Sequence, residues 1–139
     1  MADIASLARD YLEAWNRRDW DRWTELFHQE YTYTGGDGQT QKGPQAGMDV
    51  GQMFATAFPD GKLEIKHVHT AGDVAIVEFI GRGTHEGDLM GISPTGKGME
   101  IPVCTILTFR DGKIVAEREY MDMMHLMTQL GVAPEAATA

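Results

Sequence analysis

Cysteine is almost absent: Cys104 is the only one in 139 residues. An intrachain disulfide is therefore excluded, which fits a reducing, cytoplasmic setting. Long apolar runs are also missing, so no segment reads as a bilayer span. The first residues, Met1-Ala2-Asp3-Ile4, lack the basic region and apolar stretch of a secretory signal. Positive charge is scarce: 12 Lys and Arg stand against 21 Asp and Glu, a formal net charge of −9. Such a chain repels nucleic-acid phosphates and anionic membrane surfaces, so neither is an expected partner. No HExxH, CxxC, GxSxG elbow, phosphate-binding glycine loop or dinucleotide fingerprint occurs.

What is present suits one domain. The hydrophobic fraction is 42% and the charged fraction 24%, enough for a single core. Asp3 reads as an N-cap. After it, Ile4, Leu7, Ala8, Tyr11, Leu12 and Trp15 recur at helical spacing. Asp19 opens a second, shorter helix with Trp20, Trp23, Leu26 and Phe27 on its apolar side. Tyr31-Thr32-Tyr33-Thr34 is β-prone and runs into the glycine loop at 35–38. Gly43-Pro44 opens a third helix, with Met48, Gly51, Phe54, Ala55 and Phe58 along one side. Strands follow at 62–70, 74–85, 99–110 and 113–122, then a short helix at 123–130 that stops at Gly131. Residues 1–132 therefore read as one domain and 133–139 as a loose tail. Helices set against an antiparallel meander define an α+β fold.

Asp111-Gly112 marks a two-residue hairpin. An unbroken register from that turn pairs Phe109 with Ile114, Leu107 with Ala116, Thr105 with Arg118, Val103 with Tyr120 and Ile101 with Asp122. All of these share the apolar side of the sheet, because strand side chains alternate. Asp122 then loses hydration, which raises a carboxyl pKa toward what an acid/base group needs. Arg118 on the same face opposes that by favouring the ionised form. Asp122 also directly precedes a helix, so an N-cap role is open beside the chemical one. The opposite face of the hairpin carries Cys104, Ile106, Val115 and Met121 beside Glu117 and Glu119. Such a face calls for cover, so a homodimer or higher oligomer is expected.

His67 and His69 lie two apart in a strand with Leu63 and Ile65, and a His-x-His pair can hold zinc or iron. No third ligand stands at a recognisable spacing, so hydrogen-bonded or partly exposed histidines are the simpler reading. His85 ends a strand at the edge of a glycine-rich loop, a frequent place for site residues. Cys104 has no evident base partner and reads as an inert thiol. Trp15, Trp23, Phe54 and Phe58 sit on helical faces, as core or as the wall of a pocket.

The order and spacing of several segments resemble the SnoaL-like polyketide cyclases, a branch of the NTF2-like superfamily. They are Tyr11-Leu12-Glu13-Ala14-Trp15-Asn16, Ala57-Phe58-Pro59-Asp60 and Ala71-Gly72-Asp73-Val74. Further on come Gly83-Thr84-His85-Glu86-Gly87, Met90-Gly91-Ile92 and Pro94-Thr95-Gly96-Lys97. The last are Phe109 to Val115, Tyr120-Met121-Asp122 and Gln129-Leu130-Gly131. The resemblance covers roughly 3–132. It implies a cystatin-like cone of three N-terminal helices packed on a curved, mainly antiparallel sheet. It implies ring closure of a polyketide by intramolecular aldol condensation, with no metal, no cofactor and no covalent intermediate. By this resemblance the acid/base aspartate falls on Asp122 and a pocket histidine on His85. Trp15, Tyr33, Phe54, Arg118 and Tyr120 would bind the substrate, a small apolar or aromatic molecule. Arg118 departs from the family, which commonly has tryptophan there. The superfamily also contains hydroxylases, isomerases and non-catalytic binding proteins.

Overall fold

The computed structural model describes residues 3–132, so the tail expected at 133–139 lies outside the described residues. Helix α1 (Ile4–Arg17) starts where the Asp3 carboxylate accepts the Ser6 N–H at 2.7 Å. Helix α2 (Trp20–Glu25) is capped in the same way by Asp19, which accepts from Arg22 N–H at 3.1 Å. Both caps satisfy a backbone donor that has no intrahelical partner. Strand β1 (Phe27–Thr34) follows, so Phe27 belongs to a strand and not to the second helix. A short strand β2 (Thr40–Lys42) occupies what the sequence presents as loop. Helix α3 (Pro44–Ala57) carries proline in its first turn, as Gly43-Pro44 requires. Only two helices therefore precede the first strand; the third comes after β2.

The meander is β3 (Lys62–Ala71), β4 (Val74–Thr84), β5 (Gly98–Arg110) and β6 (Lys113–Met121), then helix α4 (Met123–Gln129). One six-stranded sheet runs β2-β1-β6-β5-β4-β3, antiparallel except where β1 lies parallel to β6. The β5–β6 turn has Asp111 and Gly112 at φ 55° and 73°, the double positive φ of a type I′ turn. Helix α1 packs against β3 and β4, and α3 against β1. Arg18 ties α1 to the turn after α3. Its guanidinium lies 4.1 Å from the centre of the Trp15 ring and donates to the Pro59 and Gly61 carbonyls at 3.2 and 3.1 Å.

Two β-bulges decide which side chains face inward. In β6, Phe109 pairs with Ile114, but Thr108 pairs with Ala116. Val115 is the extra residue. Past it Leu107 pairs with Glu117, Thr105 with Glu119 and Val103 with Met121. A one-residue slip moves every later side chain to the other face. Glu117, Glu119 and Met121 thus face the core, whereas Arg118, Tyr120 and Asp122 leave it. That corrects the unbroken register at three expected site residues. In β3, Ile65 pairs with Phe79 but His67 with Glu78, so Lys66 is extra. Leu63 and Ile65 face inward; His67 and His69 point outward and are exposed. Among the described residues, no helix is long and apolar enough to cross a membrane.

Candidate functional site

The inner face of the sheet, α1 and α3 enclose one cavity. Its walls are almost wholly apolar: Leu12 and Trp15 from α1, Trp23 from α2, Val50 and Phe54 from α3, and Phe79, Met99, Ile101 and Met121 from the sheet. Helix α3 comes close enough to close this space because it presents glycine. A Cβ on Gly47 would stand 2.8 Å from the Tyr31 hydroxyl, and one on Gly51 would strike the Trp23 indole. Trp15 is fixed across the cavity by its indole N–H, which donates to the Gly51 carbonyl at 3.0 Å.

The two carboxyls in this wall come from one strand, β6. Glu117 is 2% exposed and accepts three hydrogen bonds, from the Tyr11, Tyr31 and Thr105 hydroxyls, each at 2.7 Å. No cation is among these partners. Glu119, two residues on and on the same face, lines the cavity and is partly exposed. It accepts one hydrogen bond, from the Tyr33 hydroxyl at 3.1 Å. Burial raises the pKa of both carboxyls. Glu119 is pushed up to about 8, by burial first and then by the charge of Glu117, against the pull of its Tyr33 bond. The cost of removing a carboxylate from water is the physical cause. Burial beside these carboxylates also holds the Tyr31 and Tyr33 hydroxyls protonated, as donors. Arg82 is the cation in the wall, and it is already engaged by Glu64 and, at 3.1 Å, by Glu100.

The expected site residues divide into two sets. Trp15, Tyr33 and Phe54 come together around this cavity. Asp122, Arg118, Tyr120 and His85 do not line it. Asp122 is exposed and caps α4, accepting the His125 N–H at 3.0 Å. Tyr120 is 47% exposed on the outer face, and Arg118 is exposed beside it in the register. His85 is fully buried elsewhere: its Nδ1 accepts the Thr95 N–H at 3.2 Å, and its ring lies 5.7 Å from that of Phe58. Its backbone bonds Lys97 and Gly96, so His85 pins the loop between β4 and β5. The same loop is pressed against α3 at Gly87, whose Cβ would overlap the Thr56 carbonyl oxygen. Gly87→Ala is expected to destabilise by about 1–3 kcal/mol, because backbone cannot yield as a side chain does. A thermal melt within a degree of wild type would contradict that contact. The rings of His67 and His69 stack 5.9 Å apart on the outer face. Among the described residues no group of three metal-ligating side chains converges.

Glu117, Glu119, Tyr11, Tyr31 and Thr105 meet at this candidate site, and periodicity alone does not reveal them. A signal existed. Buried tyrosines need partners for their hydroxyls, and Tyr11 sits on the apolar face of α1. Ile114-Val115-Ala116 also breaks the alternation of a half-buried strand, as a bulge does.

Comparison with known proteins agrees with this architecture. The curated aklanonic acid methyl ester cyclase AcmA of Streptomyces galilaeus is 26% identical over 133 residues, 94% of this chain and 92% of that protein. The crystal structure of AclR, a proposed hydroxylase from the same organism, superposes with a TM-score of 0.83 at 27% identity, covering 99% of this chain and 87% of its own. IdmH of Streptomyces antibioticus, a proposed polyketide cyclase, gives 0.82 at 25% identity over 94% of this chain and all of its own. The sequence profile of the SnoaL-like polyketide cyclases matches residues 5–130, and the chain belongs to that family.

Proposed function

We propose that this protein closes a ring within a neutral, largely apolar carbonyl compound, without a cofactor, using Glu119 as the proton-transfer group. The observation that carries the reading is Glu119 itself, a carboxyl with one hydroxyl donor and no cation partner in an otherwise apolar, aromatic-walled cavity, whose burial pushes it up to about 8. Such a carboxylate is a stronger base than one in water, which carbon-acid chemistry requires. Glu119 takes a proton from a carbon flanked by carbonyls. The enolate attacks a second carbonyl of the same molecule and forms the C–C bond. Protonated Glu119 then returns its proton to the new alkoxide, so the product is an isomer of the substrate. Trp15, Tyr33 and Phe54 hold the chain folded for attack, and that ordering supplies much of the acceleration. A carboxylate-bearing substrate is disfavoured, because the wall offers two carboxyls and no unengaged cation. An ester such as the one in the name of AcmA avoids that repulsion.

Incubation with aklanonic acid methyl ester tests the activity. A cyclised product of unchanged mass supports it. A product heavier by one oxygen atom indicates a hydroxylase of the kind proposed for AclR. Retention of the unaltered ester defines a binding protein.

We also infer a homodimer through the outer sheet face. Ile76, Ile80, Cys104 and Ile106 share that face with exposed Tyr120, an apolar area that association would cover. Light scattering should give twice the chain mass of 15.4 kDa. A monomer at micromolar concentration would refute the inference.

A further inference from the structure

The cavity contains two glutamates on one strand face, and they are treated very differently. Glu117 accepts three short hydroxyl hydrogen bonds and is sealed from solvent. Glu119 accepts one longer bond. Donors to a carboxylate favour its ionised form, roughly in proportion to their number. Two carboxylates this close in an apolar wall do not readily both ionise, as the two-residue strand repeat separates them by only about 7 Å.

We propose that Glu117, clamped by Tyr11, Tyr31 and Thr105, is a positioning residue that holds the negative charge of the pair and leaves the exchangeable proton on Glu119. This rests on Glu119 as the reacting carboxyl. The clamp is built from three elements: Tyr11 from α1, Tyr31 from β1 and Thr105 from β5. The whole fold therefore converges on one carboxylate whose oxygens are taken up by hydroxyl donors. Its charge reaches Glu119 through the cavity wall and makes Glu119 a stronger base. Besides Glu119, few titratable groups line the cavity. They are Tyr33 from β1, Tyr11 from α1, Glu117 from β6 and Arg82 from β4. The residues of α3, β3 and β5 that line the cavity are not titratable. Arg82 is neutralised by Glu64 and Glu100, so Glu117 is the unpaired charge among them.

The test needs no substrate. Protein labelled with 13C at the glutamate side-chain carboxyl is titrated by NMR, the Glu119 signal being assigned by its loss in Glu119→Gln. In wild type Glu119 should titrate near 8. In Glu117→Gln, which removes the charge and keeps the shape, its midpoint should fall by about one pH unit or more. Thr105→Val removes one donor from Glu117 and should move Glu119 in the same direction by less. It also decides the matter where Glu117→Gln does not fold. A purely structural Glu117 would alter stability and leave the Glu119 midpoint in place. That result in either folded variant, or an ordinary carboxyl midpoint for wild-type Glu119, overturns the proposal. Failure of the functional reading looks different, since Glu119→Gln would then retain turnover whatever the titration shows.

Discussion

Glu119→Gln should fold normally and turn over its carbonyl substrate about 10²–10⁴-fold more slowly, the usual contribution of one positioned acid/base group. The amide keeps the size of the side chain and the oxygen that accepts from Tyr33, so the cavity wall is preserved and only the transferable proton is lost. The pH profile sharpens the expectation. The base must be ionised to act, and its folded-state pKa is about 8. The wild-type kcat/KM should therefore rise about tenfold per pH unit below 8 and level off above it. Asp122→Asn is the control. Its carboxylate caps α4 and lies outside the cavity, so its replacement should cost about 1 kcal/mol of stability at most and leave the profile unchanged. The reverse pattern, with Asp122→Asn inactive and Glu119→Gln active, would return the chemistry to the residue the family resemblance indicates and sink the present assignment.

That contrast marks how far the sequence could be read. The helices, the strands of the meander, the Asp111-Gly112 hairpin and the caps at Asp3 and Asp19 follow from local rules, since each depends on a few neighbouring residues. The family likewise follows from segment order. The aromatic wall was legible for the same reason, because Trp15 and Phe54 need only helical phase to face inward. The cavity carboxyls were not. Their position depends on the parity of a strand, and one extra residue at Val115 inverts that parity. Counting from the turn without the bulge sends Asp122 inward and Glu119 out. Lys66 does the same to His67 and His69. Bulges are settled by packing across the sheet, here by the need to bring an acceptor beneath Tyr11 and Tyr31, and those residues lie 86 or more positions from Glu117 in the chain. The short β2 was missed for another reason: its three exposed residues bury no face that could leave a pattern.

The same buried carboxyl should make the folded protein less stable as pH rises through neutrality. Glu119 holds its proton up to about 8 in the folded state, whereas in the unfolded chain it loses it near 4.5. Between those values the folded state binds more protons, so stability is full below 4.5, declines as pH rises and levels off above 8. The slope from this one group is at most about 1.4 kcal/mol per pH unit. Burial shifts Glu117 in the same direction; because it ionises ahead of Glu119, it adds to the decline only at the acid end of that window. Groups with lowered values act elsewhere. Glu64, held at about 2 by Lys66 and Arg82, and Asp60, lowered by its bonds from Thr84, lose their contribution only on the acid side of 4.5. The two windows do not overlap, so the difference between wild type and Glu119→Gln in urea unfolding at pH 5, 6, 7 and 8 isolates that carboxyl. Wild type should lose stability steadily across that series, and Glu119→Gln should flatten most of the slope. An unchanged slope in the variant would mean that Glu119 titrates as an ordinary surface carboxyl, and a strong base would then have no physical source. If the slope does disappear, stability and activity are set against each other at one atom group. The ionisation that the apolar cavity resists is the one that arms the base, and resistance to it is what makes that base strong.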